Sequence, residues 1–589
     1  MPDNQPTSLR WGVNPVGFIN QQLRTLLGPT ALANELIQNA EDAGASEVYF
    51  DFTDDALIVG NNSKFQACSD VTRDECANAA EGSEYCDFHR FRDVASGNKR
   101  AGSRNIGAFG IGFTSVYQIT DRPEVSSGEV HWIIVPLEGR VISERIGYFD
   151  GTRFRLPWAF ELTEFRQKIA AESVSPKKIE DLLCGIHSSL EFSLLFLNNL
   201  TSAKVLRENK EIVSFDIYLN NSVKTVSSSN GSQTSWQLFQ GNFENSEAVR
   251  DSPERRRTEV NIAIPNRVLS KEGLLFAFLP LEREKTQLPF QINADFFPSP
   301  ERKVLLFDND HQGRWNRQAL RTAIEVFSSN LSNIRDFLGA KNFWDFLDQV
   351  RKANKNFENN ALTDGRDAEL KELWPQATGN LKKFDSVLTS RSEWKIPPTT
   401  FLVSTPRETD DAVLRSSLED LGLEIVHQEL SKFRKTLKNV GVRELKAEDV
   451  INKINSTGLR AGTPLDEAPR WFRDPKKRTS LLDFLKPHLD EIRDLLKNCP
   501  IAVGRGQKVR NPGDLFNFDE SETLRIFLNL GFESSFPAKD SHELIVELAA
   551  DFTATDAVNL IERLEEEEIR VFALNDAADY QKLVKWLVG

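Results

Sequence analysis

Apolar residues near the start of the chain fall into two rhythms. Over 16–27, and more strongly over 30–43, they recur at the three-to-four-residue spacing of one helix face. In 47–53 (EVYFDFT) and 55–60 (DALIVG) they alternate or cluster as in strands, with Asp54 and Asp55 turning a hairpin between them. A polar, Gly-rich stretch without a period runs from about 61 to 106, and a further helix is expected from about 110. β character dominates 130–157 (VHWIIVPL, ISERIGYF, GTRFRLPW), while 190–300 mixes strands with polar loops, including a Ser/Asn turn at 226–233. From about 313 the period turns helical (WNRQALRTAIEVFSSNLSNIRDFL) and stays so, with short β interruptions, to the end.

One motif recurs in that last part: apolar-x-x-apolar-Gly-apolar, at Leu418–Leu423, Leu437–Val442 and Phe527–Phe532. It reads as a helix stopped by a left-handed Gly, with the next apolar residue folding back onto the last turn. Such stops occur in unrelated helices as well as in true repeats, and the sequence leaves both readings open.

A chain of 589 residues exceeds one hydrophobic core, and its length suggests about three to four domains. Forty Phe against one Met point to rigid aromatic cores. A net charge of −14 argues against nucleic-acid binding over the whole surface, leaving only a local basic patch or a partner for that role. The longest apolar runs, such as LLFAFLPL at 274–281, fall far short of the roughly 20 residues that span a bilayer. No charged-then-apolar leader opens the sequence, so a cytoplasmic protein without membrane contact is expected.

The helix LANELIQNAEDAGA carries candidate chemistry. Glu35, Asn39 and Asp42 stand at i, i+4 and i+7 and share one face, while Leu32, Leu36, Ile37 and Ala40 turn toward the core. The Asn39 amide oxygen is a hard neutral ligand suited to Mg²⁺. Glu35 can take a proton from an attacking water, and Asp42 can accept hydrogen bonds from a base or from ordered water. A solvated polar face on an amphipathic helix is the competing reading. Downstream comes NIGAFGIGFTSVYQITDRP, with Gly107, Gly110 and Gly112 ahead of an apolar segment, so that bare backbone N–H groups can meet a phosphate. The triplet Asn61-Asn62-Ser63 ends the second strand, and Gly151-Thr152 is expected to open a late one.

This ordered set resembles the GHKL ATPases, and its wording is most similar to their sacsin-like branch. The resemblance implies an α+β architecture: a GHKL (Bergerat) two-layer α/β sandwich over 1–160, with a lid and insert at 61–106. A mixed α/β transducer-like domain would follow over 161–335, then a helix-rich region over 336–589, divisible into two subdomains. It implies Glu35 as general base, Asn39 as the Mg²⁺ ligand, and Gly107, Gly110 and Gly112, with Phe109, Ile111 and Phe113 in the same string, closing over the phosphates of ATP. Thr152 would contact the adenine end, and Lys99, in the lid-like VASGNKR, would reach the phosphates. Where most of that superfamily has Asp and then Gly after the second strand, this chain has Asn61 and Ser63, so adenine recognition is less secure than phosphate binding. No phospho-acceptor helix precedes the segment, which disfavours a histidine kinase.

FAFLPLEREKTQLPFQINADFFPSPERKVLLF at 276–307 resembles the second domain of sacsin-type proteins. By that likeness Lys303, or else Arg302, would deliver a cation to the γ-phosphate; a solvated strand-end charge pair is the alternative. Separately, Cys68, Cys76, Cys86 and His89 form C-x7-C-x9-C-x2-H, a donor set for a closed Zn²⁺ site in the insert. Three free thiols in an open loop, with His89 merely exposed, would fit the spacing equally well. Cys184 and Cys499 are expected in the core, and the other six histidines show no ligand spacing.

The functional expectation is an Mg²⁺-dependent ATPase, slow and partner-stimulated, whose lid closure is passed to a C-terminal partner-binding region, in chaperone-like or defence-type work. An unidentified protein partner and an ATP-dependent homodimer belong to that reading. A non-hydrolysing nucleotide-binding scaffold is the alternative, and no paired-carboxylate-plus-Lys pattern supports a nuclease.

Overall fold

The computed structural model describes residues 14–24, 28–80, 85–92, 112–267, 272–299, 304–362, 364–404, 411–519 and 521–588. They form two compact units that divide between Ala377 and Thr378. The class is mixed α and β, with one large mixed sheet and many helices.

The first unit opens with helices α1 (Pro15–Leu23) and α2 (Pro29–Asp42), then strands β1 (Glu47–Phe52) and β2 (Ala56–Asn61). Both hairpin strands and the Asp54-Asp55 turn fall where the pattern placed them. The polar insert holds α3 (Ala77–Ala80) and α4 (Asp87–Arg92). In place of the helix expected from about 110, Gly112–Gln118 is a 3-10 helix. Thr114 and Val116 are β-branched and Gly112 opens the segment, a composition that disfavours a longer α-helix.

A long hairpin follows, β3 (Glu124–Val135) with β4 (Arg140–Pro157). Gly151-Thr152 does not open a strand. It lies inside β4 at an irregularity opposite Ser127 and Gly128, where Gly151 has φ +110° and an added Cβ would meet the Asn61 carbonyl oxygen at 2.4 Å. Only glycine fits there.

Helices α5 (Glu164–Lys168) and α6 (Pro176–Ser193) lead to β5 (Ser202–Arg207), β6 (Lys210–Asn220), β7 (Val223–Ser228) and β8 (Gln233–Asn242). After α7 (Glu247–Arg250) come β9 (Glu259–Pro265), β10 (Leu274–Ala277), β11 (Leu279–Lys285) and β12 (Gln291–Ala294). All twelve strands form one sheet in the order β11-β10-β12-β9-β8-β7-β6-β5-β1-β2-β4-β3. Its two parts join where β5 pairs parallel to β1, from Glu47 opposite Ser202 to Phe52 opposite Arg207. The line drawn at residue 160 is therefore no break in the sheet. The line at 335 falls inside α9 (Leu331–Asn360), which follows α8 (His311–Ser329) and bends at Gly339, φ +72°.

Helices α2 and α6 lie side by side over the sheet. Leu32, Leu36, Ile37, Ile186 and Leu190 share a core with Phe50, Val59, Ala203 and Val205. The join is fixed by Glu41, 4% exposed, whose carboxylate accepts the backbone N–H groups of Asn198, Asn199 and Leu200 just before β5. Cys184, expected in the core, faces solvent, because it sits on the outer side of α6 between inward Leu183 and Ile186. Cys499 is buried as expected.

The second unit is an internal duplication. A short hairpin (β13 Val387–Leu388, β14 Trp394–Lys395) leads through a 3-10 turn at Pro397–Thr399 to β15 (Phe401–Leu402), which pairs parallel with β16 (Arg443–Glu444). The same order returns as β17 (Ala502–Val503), β18 (Val509–Arg510), a 3-10 turn at Pro512–Asp514, and β19 (Phe516–Asn517) parallel to β20 (Ala550–Asp551). Between the parallel partners each copy has a helix ended by a left-handed Gly: Asp411–Asp420 with Gly422, and Glu522–Asn529 with Gly531. Leu423 N–H bonds back to the Leu418 carbonyl, and Phe532 N–H to that of Phe527. These two occurrences of the glycine motif are equivalent positions of a true repeat. Leu437–Val442 has the same bond, Val442 N–H to the Leu437 carbonyl, but occupies a different place in the first copy.

At Gly531 (φ +86°) an added Cβ has no neighbour within 4 Å, so Gly531→Ala incurs only left-handed strain. We expect a loss of about 1–2 kcal/mol. Gly422→Ala should cost a similar amount, since its nearest neighbour is the flexible Lys453 chain. Urea unfolding of the full chain checks both, and unchanged midpoints would show that the stops bear no load.

Candidate functional site

Proline at the first helical position starts α2, and a Schellman stop ends it: Ala45 N–H bonds to the Ala40 carbonyl and Gly44 N–H (φ +74°) to that of Glu41. Between these ends Glu35 is 5% exposed, while Asn39 and Asp42 are half-buried. A solvated face is thus excluded for Glu35. Its carboxylate lies directly on the backbone of Gly112, where an added Cβ would come 1.5 Å from Glu35 Oε2. The start of α2 is tied to the same segment, since Gly28 N–H donates to Gln118 Oε1 at 2.8 Å.

The far end of that face meets the end of β2. Ser63 Oγ donates to the Ala43 carbonyl at 2.5 Å, and Asn62 Oδ1 accepts the N–H groups of Ser46 and Glu47. Asn61 Oδ1 accepts the N–H of Ser63 at 3.0 Å. Thr152, opposite Asn61 in the ladder and 1% exposed, donates to the Ser63 carbonyl at 2.8 Å and lies 3.0 Å from Ser127 Oγ. The face of α2 therefore runs from a carboxylate-glycine contact at Glu35 to a hydrogen-bonded corner at Asp42, about 10 Å along the axis at 1.5 Å per residue.

The insert packs against Phe113 and the β3–β4 hairpin through aromatic rings. Phe91 of α4 stands edge-on to Phe113 at 4.6 Å between centroids, Phe113 lies 5.3 Å from Phe154, and Phe88 lies 5.0 Å from Trp132. Beside α4, one donor atom each from Cys68, Cys76, Cys86 and His89 lies within 4.8 Å of the others, a group that could hold a metal ion. The open-loop reading fails here, because Cys76, Cys86 and His89 are all buried.

A model of the sacsin domain matches residues 18–146. Human sacsin is 34% identical over 119 residues, 19% of this chain and 2% of that protein. The chain carries a sacsin-like region. The Arabidopsis thaliana protein NO VEIN is 25% identical over 314 residues, 49% of this chain and 10% of its own length. The chain thus spans a small part of both relatives. Among solved structures, the N-terminal domain of a DNA repair protein aligns over 55% of this chain and 97% of its own, at a TM-score of 0.32 and 12% identity, too distant to carry an argument.

Within the sacsin-like region the structure brings Glu35 to Gly112, and Phe113 to α4. Asn61 and Thr152 come together at the other end, their side chains engaged with Ser63. Lys99, Gly107, Phe109, Gly110 and Ile111 lie outside the described residues, as do Arg302 and Lys303 beyond the sacsin-like region. The neck of the loop carrying the last two is closed: Ser299 N–H donates to the Val304 carbonyl, Pro298 bridges to Leu305, and Leu305 N–H donates to Glu284. Glu284 is paired with Arg366 at 2.8 Å. Burial raises its pKa, and the bonds from Leu305 and Arg366 oppose that shift.

Two positioning residues escaped the sequence reading. Glu41 was one more carboxylate in an acidic helix, with no signal of its inward turn. Arg166, fully buried, donates to Asp121 of the TDRP string, to the Gln118 carbonyl and to the Glu172 carbonyl, clamping the 3-10 segment from behind. Its partners lie too far apart in sequence to announce it.

Because the Glu35 carboxylate rests on Gly112, Gly112→Ala should destabilise the full chain by about 1–3 kcal/mol through overpacking. Glu35→Ala should remove most of that penalty in the double variant, giving a clear coupling in a thermal-unfolding cycle. Additive losses would place the two groups apart.

Proposed function

We propose that the sacsin-like region binds ATP with Mg²⁺ and hydrolyses it, as a GHKL-type ATPase. The observation that carries this is the buried Glu35 carboxylate set against the bare backbone of Gly112, one helical turn before Asn39. A phosphate meeting the N–H groups of the 107–112 string would lie beside a carboxylate placed to take a proton from water. The attacking water loses that proton to Glu35, the new P–O bond forms at the γ-phosphorus, and the bond to the β–γ bridging oxygen breaks.

The oxygen donors on this face, an amide beside a carboxylate, fit a hard cation, so Asn39 would hold Mg²⁺, which neutralises phosphate charge when bound. Asp42 would accept hydrogen bonds at the base end. Lys99 would meet the phosphates from the lid-like segment, and Lys303 or Arg302 would face the γ-phosphate. Phe109, Ile111 and Phe113 would back the phosphate string. Closure would change how the duplicated unit engages a protein partner, in chaperone-like work, with nucleotide-dependent pairing of two copies as part of the cycle.

A second reading, nucleotide binding without turnover, draws on the base end. Asn61 Oδ1 is spent on the Ser63 N–H, and the Thr152 hydroxyl on the Ser63 carbonyl, leaving adenine fewer free groups than the family pattern offers.

Steady-state phosphate release separates the two. We expect slow turnover in the wild type, a fall of about 10²–10⁴-fold in Glu35→Ala, and nucleotide affinity kept in that variant. Asn39→Ala should weaken Mg-ATP while sparing metal-free nucleotide. Tight ATP binding with no release, alone or with added partner, would select the scaffold. No binding at all would overturn both.

A further inference from the structure

We propose that Cys68, Cys76, Cys86 and His89 hold one Zn²⁺ as a closed structural centre, and that this centre fixes the aromatic wall beneath Gly112 and Phe113. The chemistry of the four groups is the first support. Three sulfurs and one imidazole nitrogen make a full tetrahedral set for zinc, with no position left for water. At Zn–S near 2.3 Å and Zn–N near 2.0 Å, neighbouring donors in a tetrahedron stand roughly 3.5–3.8 Å apart. Here Cys68 Sγ lies 3.6 Å and Cys86 Sγ 3.0 Å from His89 Nδ1, and all four donors fall within 4.8 Å of one another.

The surroundings are those of ligands rather than of spare thiols. His89 Nε2 lies 3.0 Å from the Arg73 carbonyl, so this nitrogen donates its proton there and Nδ1 faces the sulfurs with its lone pair. Backbone N–H groups of Asn78, Ala79 and Cys86 point at Cys76 Sγ, and those of Cys68 and His89 at Cys86 Sγ, so both sulfurs are held in place by the main chain around them. Cys76, Cys86 and His89 are 2%, 3% and 0% exposed, in a segment whose only described helices are α3 and α4. Beyond these two short helices the described residues of the segment form no regular element, and a metal would fix the loop between them.

The second half of the proposal follows from chain connectivity. His89 belongs to α4, and its neighbours Phe88 and Phe91 on that helix are the rings that meet Trp132, Phe113 and Phe154. Phe113 adjoins the glycine on which the Glu35 carboxylate rests. Holding His89 therefore holds Phe91, and through it the segment that starts at Gly112.

Metal analysis of the full chain, purified under reducing conditions without added metal, should find one zinc per chain. X-ray absorption should show three sulfurs and one nitrogen around it. Cys86→Ser and His89→Ala should each lose the metal, whereas Cys184→Ser, on the solvent side of α6, should keep it. Because the ligand variants can simply misfold, the deciding measurement uses wild-type protein. Chelation should speed hydrogen exchange in 65–80, 85–92 and 112–118 and leave the duplicated second unit unchanged. Folded metal-free protein, or zinc retained in Cys86→Ser, would overturn the site. Zinc removal without faster exchange at 112–118 would overturn its hold on the wall. None of these readouts involves nucleotide, so zinc-loaded protein that ignores ATP would refute the ATPase reading alone, and metal-free protein that hydrolyses ATP would refute this one alone.

Discussion

The first unit depends on a carboxylate meeting a glycine. Glu35 is withdrawn from water at 5% exposure, which costs its carboxylate hydration. It can sit there only because the opposing residue has no side chain. That single close approach fixes the height of the 3-10 segment over α2. The other anchors serve the same geometry. Gln118 ties the start of α2 to the end of that segment, Arg166 clamps it from behind, and Glu41 ties the end of α2 to β5.

Polar groups do this positioning more than apolar ones. Leu32, Leu36 and Ile37 would pack acceptably against many surfaces, since apolar contact is nearly indifferent to angle. Hydrogen bonds to backbone N–H groups are not, and each buried donor or acceptor left unmatched costs about 1–3 kcal/mol. The corner built from Asn61, Asn62, Ser63, Ser127 and Thr152 follows the same logic. Its side chains satisfy one another and the strand ends, so the corner is rigid before anything binds.

Much of this was legible in the chain. The α2 face was readable because i, i+4, i+7 spacing survives any tertiary context, and the β1–β2 hairpin because Asp54 and Asp55 interrupt two apolar runs. The four metal-type donors announced themselves by residue type, although only folding could show that 21 positions close to within a few ångströms. What stayed hidden was set by partners distant in sequence. The inward turn of Glu41 depends on a loop over 150 residues away, and the outward turn of Cys184 on which side of α6 meets the sheet. The duplication was nearly invisible, since its two copies share backbone order and one glycine stop but few side chains. The Gly motif marked it correctly at two places and misleadingly at a third, because a Schellman stop is a local solution that any helix can adopt.

The parallel pairing of β1 with β5 has a mechanical corollary. Six consecutive residues of each strand are laced together there, and strands continue on both sides, so the candidate catalytic face and the strands after residue 200 belong to one stiff plate. Such a plate has no joint at which one half could swing against the other.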